Sequence, residues 1–176
     1  MSSAGQASRG PGPTGGATAA FPDMSGFTVP WNEPSRVPLP KHLYVHVPLC
    51  RSKCTYCDFF SRADDGSVSH AELIEATIEA LRGWLLPTVR RVPLDTLYIG
   101  GGTPTVLGEG LVTLVRELTA VMPLAEGAEV TVEANPESLS VELLAALAEA
   151  GVTRVSIGVQ SLDDAALALL GRCHDS

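Results

Sequence analysis

The chain has 176 residues, 45% of them hydrophobic, with 20 acidic and 12 basic side chains and a formal net charge of −8. That length suits one domain with a full core, and the hydrophobic share excludes an intrinsically disordered chain. The acidic balance argues against a nucleic-acid binder, because no basic stripe stands ready to replace counterions on phosphate, and no apolar run approaches the roughly 20 residues that cross a bilayer.

Residues 1–38 read as a disordered tail. Gly, Pro, Ser and Ala dominate it, as in Gly10-Pro11-Gly12-Pro13, and such a segment buries too little apolar area to offset its conformational entropy. No apolar secretory segment precedes Phe21, so the expected location is cytoplasmic. Residues 39–176 form the expected folded core. Leu43–Val47 reads as a strand. Ser69–Leu86 reads as a helix, opened by the capping box Ser69-x-x-Glu72 and stopped by Pro87. Its apolar stripe is Leu73, Ile74, Ile78, Leu81, Trp84 and Leu85. Thr96–Ile99 is a second strand and Leu111–Met122 a second helix, ended by Pro123. Glu129–Glu133 is a third strand, followed by a helix over Val141–Ala150 with Ser140 as its cap and Gly151 at its end. Arg154–Val159 is a fourth strand, and Asp163–Leu170 a fourth helix closed by Gly171.

Four alternations of strand and helix predict successive βαβ units and a parallel sheet. Right-handed crossovers would curl the strands into part of a barrel or leave an open sheet. Four units do not close an eight-stranded barrel, so the expectation is either an open sheet or the front portion of a longer protein.

Ligands of parallel sheets sit at the carboxyl ends of the strands. The segments at those ends are Pro48–Cys57, Gly100–Thr105, Glu133–Glu137 and Gly158–Ser161. Cys50, Cys54 and Cys57 lie within eight residues, whereas Cys173 stands alone. Thiolates ligate iron–sulfur clusters and zinc. Three ligands on one loop would leave one iron of a cubane cluster free for a substrate; the zinc alternative needs His46 or Cys173 as a fourth ligand. Cys173 has no expected role. The triple glycine lacks a P-loop or a dinucleotide fingerprint and points to close backbone approach to a ligand. Glu133 and Gln160 read equally as ligand-binding groups or as solvated side chains.

Cys50-x3-Cys54-x-Tyr56-Cys57 resembles the signature of the radical S-adenosylmethionine (SAM) superfamily. Tyr44-x-His46-x-Pro48, Gly100–Thr105, Glu133-Ala-Asn-Pro and Ser156-Ile-Gly-Val-Gln160-Ser narrow the resemblance to the oxygen-independent coproporphyrinogen III oxidase group. Within that group the chain is similar to the HemW-like haem-chaperone branch over about residues 41–174. The oxidases carry a further cysteine two residues after the third; here Phe59 stands there, as in the chaperone branch. The ending Leu170-Gly171-Arg172-x-His174 resembles that branch as well.

The resemblance implies a partial parallel (β/α) barrel of the radical SAM type, of which four of six units are present. It implies that Cys50, Cys54 and Cys57 hold a [4Fe–4S] cluster whose open iron binds the amino and carboxylate groups of SAM. Tyr44 and Tyr56 would lie against the cofactor, and Gly101, Gly102 and Thr103 would approach its methionyl part. Glu133 and Gln160 would reach its polar groups, and Arg172 a carboxylate or hydroxyl. In an enzyme of this kind the reduced cluster cleaves SAM to a 5′-deoxyadenosyl radical. The expected function is a haem chaperone that binds haem and delivers it to an acceptor protein, with a low-potential electron donor such as a flavodoxin or ferredoxin. The alternative is radical oxidative decarboxylation of coproporphyrinogen III.

Overall fold

The computed structural model describes residues 40–85 and 92–176. The tail expected over residues 1–38 and the Pro87 stop lie outside the described residues. In chain order the elements are β1 (His42–Val47), β2 (Leu49–Cys50), β3 (Arg62–Ala63), α1 (His70–Trp84), β4 (Leu94–Gly101), α2 (Glu109–Val121), β5 (Leu124–Ala134), α3 (Val141–Glu149), β6 (Arg154–Ile157) and α4 (Asp164–Leu170). β1, β4, β5 and β6 form one sheet in that order, every pair parallel. β2 and β3 make a separate two-residue parallel pair. Strand order therefore advances in one direction. A doubly wound sheet reverses at a switch point, and one-way winding is the wall of a (β/α) barrel.

The helices begin where the capping residues stand. Ser69 Oγ accepts from Glu72 N, Ser140 Oγ from Leu143 N, and Asp163 Oδ1 from Ala166 N. Each satisfies an amide that the first turn leaves without a partner. Asp163 is thus the cap of α4 rather than its first residue. α4 ends at Gly171, whose φ of 70° is the left-handed conformation that closes a helix.

The period of two along each strand separates two faces. Val45, Leu97, Ile99, Val130 and Val132 bury against Ile74, Ile78, Leu111, Val115, Leu118 and Leu147 of the helices. The register puts Tyr44, Tyr98, Thr131 and Arg154 side by side on the other face, and His46 beside Gly100 and Glu133 beside Ser156 in the layer above. That second face is polar and bonded internally. Arg154 Nε donates to Thr131 Oγ1 at 2.9 Å and its Nη2 to Glu129 Oε1 at 3.0 Å.

Several expectations are corrected. Trp84 leaves the packed stripe of α1 and is 87% exposed. At 3.6 residues per turn it lies about 80° from Ile74, on the last residue of the helix. β5 is longer than the segment expected, starting at Leu124, and β6 stops at Ile157. The β2–β3 pair had no periodic signal, because two residues are too few to show one.

Candidate functional site

β1 runs directly into the thiol loop. The segment Val47–Cys50 is bonded on both sides: Arg62 N donates to Pro48 O at 3.0 Å and Asp64 N to Cys50 O at 2.7 Å, while Gly102 N donates to Val47 O at 2.8 Å and Thr103 N to Leu49 O at 2.7 Å. Beyond it, Cys57 N donates to Cys54 O at 3.2 Å. Lys53 Nζ donates to Phe59 O at 2.6 Å and to Ser61 O at 3.2 Å, drawing the loop closed. All four cysteines are free; Cys50 is buried, Cys54 and Cys57 are half-buried, and Cys173 is exposed.

Close main-chain packing accounts for two of the three glycines, while a Cβ at Gly100 would meet the Glu133 carboxylate at 2.7 Å. A Cβ at Gly102 would stand 2.5 Å from Leu49 O and 2.8 Å from Cys50 Sγ. One at Gly101, where φ is +119°, would stand 2.7 Å from Val47 O. These separations are too short for any side chain. The glycines let β4 lie against the strand that carries the first thiol.

Glu133 is held at both carboxylate oxygens. Tyr98 Oη donates to Oε1 at 2.6 Å and Gly101 N to Oε2 at 3.0 Å. The hydrogen bond to Glu133, together with burial and the negative charge, pushes the Tyr98 phenol up to about 12. Burial first, and the charge of Glu133 second, also raise Tyr44. His46 Nε2 donates to Phe60 O at 2.7 Å, which leaves Nδ1 to accept from Tyr44 Oη at 3.0 Å. Both ring nitrogens of His46 are thereby engaged, which weakens the zinc alternative. Asn135 Nδ2 donates to Thr103 Oγ1 at 2.9 Å.

Arg172 joins the last segment to the thiols. Its Nη1 donates to Cys54 Sγ at 3.4 Å and its Nη2 to Gly158 O at 2.7 Å. Burial opposes the guanidinium charge, but the Cys54 sulfur and Glu137 outweigh it and hold its pKa above the ordinary value. Gln160 has a φ of 65°, the left-handed region unusual for a residue with a side chain.

A cleft of about 330 Å3 opens at this rim of the sheet. Cys50, Cys54, Cys57 and Tyr56 border it, together with Gly101, Gly102, Glu133, Gln160 and Arg172. Thr103 does not line it: it is 1% exposed and lies behind the glycines. Tyr44 does not line it either; it packs beside Tyr98, with ring centroids 6.0 Å apart. The sequence reading missed Tyr98 and Asn135. Tyr98 is two residues before Gly100 and so shares its face, which is the signal that could have found it. A larger groove of about 470 Å3 between α1 and α2 is bordered by helix-surface side chains such as Glu75, Arg82 and Glu117, and holds none of these residues.

Three free thiols on one cleft are a donor set suited to an iron–sulfur cluster. Among the described residues no three His, Cys, Asp or Glu side chains are gathered closely enough to hold a metal ion, so the thiols share the cleft without converging. No described helix is long and apolar enough to cross a membrane.

The profile of the Radical SAM superfamily matches residues 44–175. "Heme chaperone HemW" of Escherichia coli strain K12 is 41% identical over 136 residues, which is 77% of this chain and 36% of that protein. "Radical S-adenosyl methionine domain-containing protein 1, mitochondrial" of Bos taurus is 44% identical over 140 residues, 76% of this chain and 30% of that one. A solved structure described as "Coproporphyrinogen III oxidase (HemN) from Escherichia coli is a Radical SAM enzyme" superposes with a TM-score of 0.69 at 27% identity, covering 77% of this chain and 31% of that one. The chain thus spans about a third of the length of these relatives. Thiol loop, glycine turn and one-way parallel winding agree with these matches: the chain belongs to the radical SAM superfamily, and within it resembles the HemW-like haem chaperones.

Proposed function

We propose that this chain is the cofactor-binding part of a haem chaperone, with Cys50, Cys54 and Cys57 holding a [4Fe–4S] cluster and the cleft beside them binding SAM. The observation that carries the reading is a single cleft bordered by all three thiols together with Glu133, Gln160 and Arg172. When bound, the pair of cofactors supplies low-potential one-electron chemistry at the sulfonium. The residues of the chain do the rest. Glu133 keeps lone pairs free to accept from an ammonium or a ribose hydroxyl, with its plane fixed by Tyr98 and Gly101. Arg172 carries positive charge beside the Cys54 sulfur, where a thiolate gains from it. Gln160 and Asn135 would offer amide groups to the polar groups of SAM. Gly101 and Gly102 keep their part of the cleft free of side chains, and Tyr56 would lie against the bound cofactor. Tyr44 and Thr103 act from behind, through His46 and Asn135.

Phe59 favours the chaperone over the oxidase. It borders the cleft and is 68% exposed, presenting an apolar face where the resembling oxidases have a thiol. A flat porphyrin is a suitable cargo for such a face. Delivery to a haem-acceptor protein and reduction by a flavodoxin or ferredoxin belong to the same proposal, as does a cytoplasmic location, where thiols stay reduced. The alternative is oxidative decarboxylation of coproporphyrinogen III, favoured by the superposition on the coproporphyrinogen III oxidase. Anaerobic reconstitution with iron and sulfide, counting both, tests the cluster. Haemin titration with and without the cluster, run against anaerobic coproporphyrinogen turnover, separates the two functions. Haemin binding without turnover is expected; turnover in proportion to cluster content would replace the chaperone by the oxidase.

A further inference from the structure

The segment after α4 crosses back over the site as a strap. Thr55 Oγ1 donates to Leu170 O at 3.2 Å, Arg172 reaches Cys54 and Gly158, and Ser52 Oγ lies 3.0 Å from Cys173 Sγ. The far end of the strap is fixed by a buried pair that takes no part in the proposed cofactor contacts. His174 and Glu137 have side chains only 6% and 8% exposed, with Nδ1 and Oε2 3.3 Å apart. That approach lacks hydrogen-bond geometry, so the contact is electrostatic. His174 Nε2 donates to Val159 O at 3.0 Å, because a carbonyl only accepts. Nε2 therefore carries the proton of that bond, and Nδ1 is turned to the Glu137 carboxylate.

The two strap side chains thus grip consecutive carbonyls, Arg172 that of Gly158 and His174 that of Val159. The next residue is Gln160, whose positive φ costs energy that surrounding contacts must offset. We propose that His174, anchored by Glu137, is a positioning residue that holds the strap and the Gly158–Gln160 turn together, and so sets the places of Arg172 and Gln160. The inference rests on the cofactor-binding role proposed for those two residues. His174 touches neither the cleft nor a thiol; it acts through the backbone it clamps.

The test uses the full 176-residue chain with His174→Gln, which keeps an amide donor for Val159 but presents no ring nitrogen to Glu137, and with Glu137→Gln. Amide hydrogen exchange is read before reconstitution and SAM affinity after it. Each variant is expected to raise exchange at Gly158–Ser161 and Gly171–Cys173 roughly tenfold while β4 and β5 stay protected. Each should weaken SAM binding by about tenfold, and His174→Gln should add nothing once Arg172→Ala and Gln160→Ala are both present. Unchanged local exchange, loosening spread equally over the sheet, or a further loss from His174→Gln in the Arg172→Ala, Gln160→Ala background would each overturn the proposal. If the unsubstituted, cluster-loaded chain binds no SAM, the proposed function fails while the exchange measurement still decides the role of His174.

Discussion

Tyr98 Oη donates to Glu133 Oε1 across 2.6 Å, from one strand of the sheet to the next and on the face opposite the helices. The bond gives the site a pH signature. Tyr98 is raised to about 12 in the folded chain, against roughly 10 unfolded. The raised value stabilises the protonated form, so this contribution is fully present below about pH 10 and disappears as the pH rises through about 12. A phenolate titration should show Tyr98 ionising late, with Tyr44 raised as well. Glu133→Gln should bring Tyr98 back towards 10. Identical titration of Tyr98 in both proteins would mean the bond does not form.

Cys50, Cys54 and Cys57 are expected to be jointly required for an oxygen-sensitive iron–sulfur chromophore, and Cys173 to be dispensable. All four thiols are free, but Cys173 is exposed and, unlike the other three, does not border the cleft. Single alanine variants, reconstituted without oxygen and assayed for iron, sulfide and absorbance, check this. Loss of the chromophore in Cys173→Ala would indicate a four-thiol site.

Gly102→Val should damage the thiol loop itself. The added side chain meets Leu49 O and Cys50 Sγ before it reaches any ligand. Overpacking against backbone of this kind costs about 1–3 kcal/mol. Both a lower denaturation midpoint and reduced cluster content are expected, not a selective loss of SAM affinity. Full cluster content with wild-type stability would show that the glycine serves only the ligand.

No coproporphyrinogen oxidase activity is expected even with a full cluster. Phe59 is 68% exposed at the edge of the cleft, where it offers an apolar surface and no thiol. Anaerobic turnover with dithionite, SAM and coproporphyrinogen III, followed by chromatography for protoporphyrinogen, is the check. Product accumulating with cluster content would reverse the assignment.

The helix-covered face of the sheet should carry most of the stability. Val132 and Leu118 are 0% and 1% exposed in one apolar cluster. Leu118→Ala is expected to cost about 2–5 kcal/mol by the cavity it leaves. Arg154→Ala, on the polar face and half-exposed, should cost under about 1 kcal/mol. Urea midpoints that reverse this order would place the main core on the other face.

The parallel sheet, its helices and the thiol loop were legible in the sequence because each has a local cause. Alternation of apolar residues writes a strand, Ser140 and Asp163 write helix starts, and three cysteines within eight residues mark the thiol loop. The candidate residues Cys50, Glu133 and Gln160 were also legible, as unusual groups at strand ends, and Arg172 through the resemblance of the ending Leu170–His174. What only the tertiary structure decided is how they face one another. Tyr98 meets Glu133 from 35 positions away, and Arg172 meets Cys54 from 118. No local pattern encodes such a meeting, because it depends on the register between neighbouring strands and on the path of the strap after α4. The glycines show the division most clearly. Their number suggested a ligand, but the nearest atoms to a Cβ at Gly101 and Gly102 are the backbone of Val47 and Leu49. Close packing between chain segments excludes a side chain as firmly as a ligand would, and sequence alone does not distinguish the two.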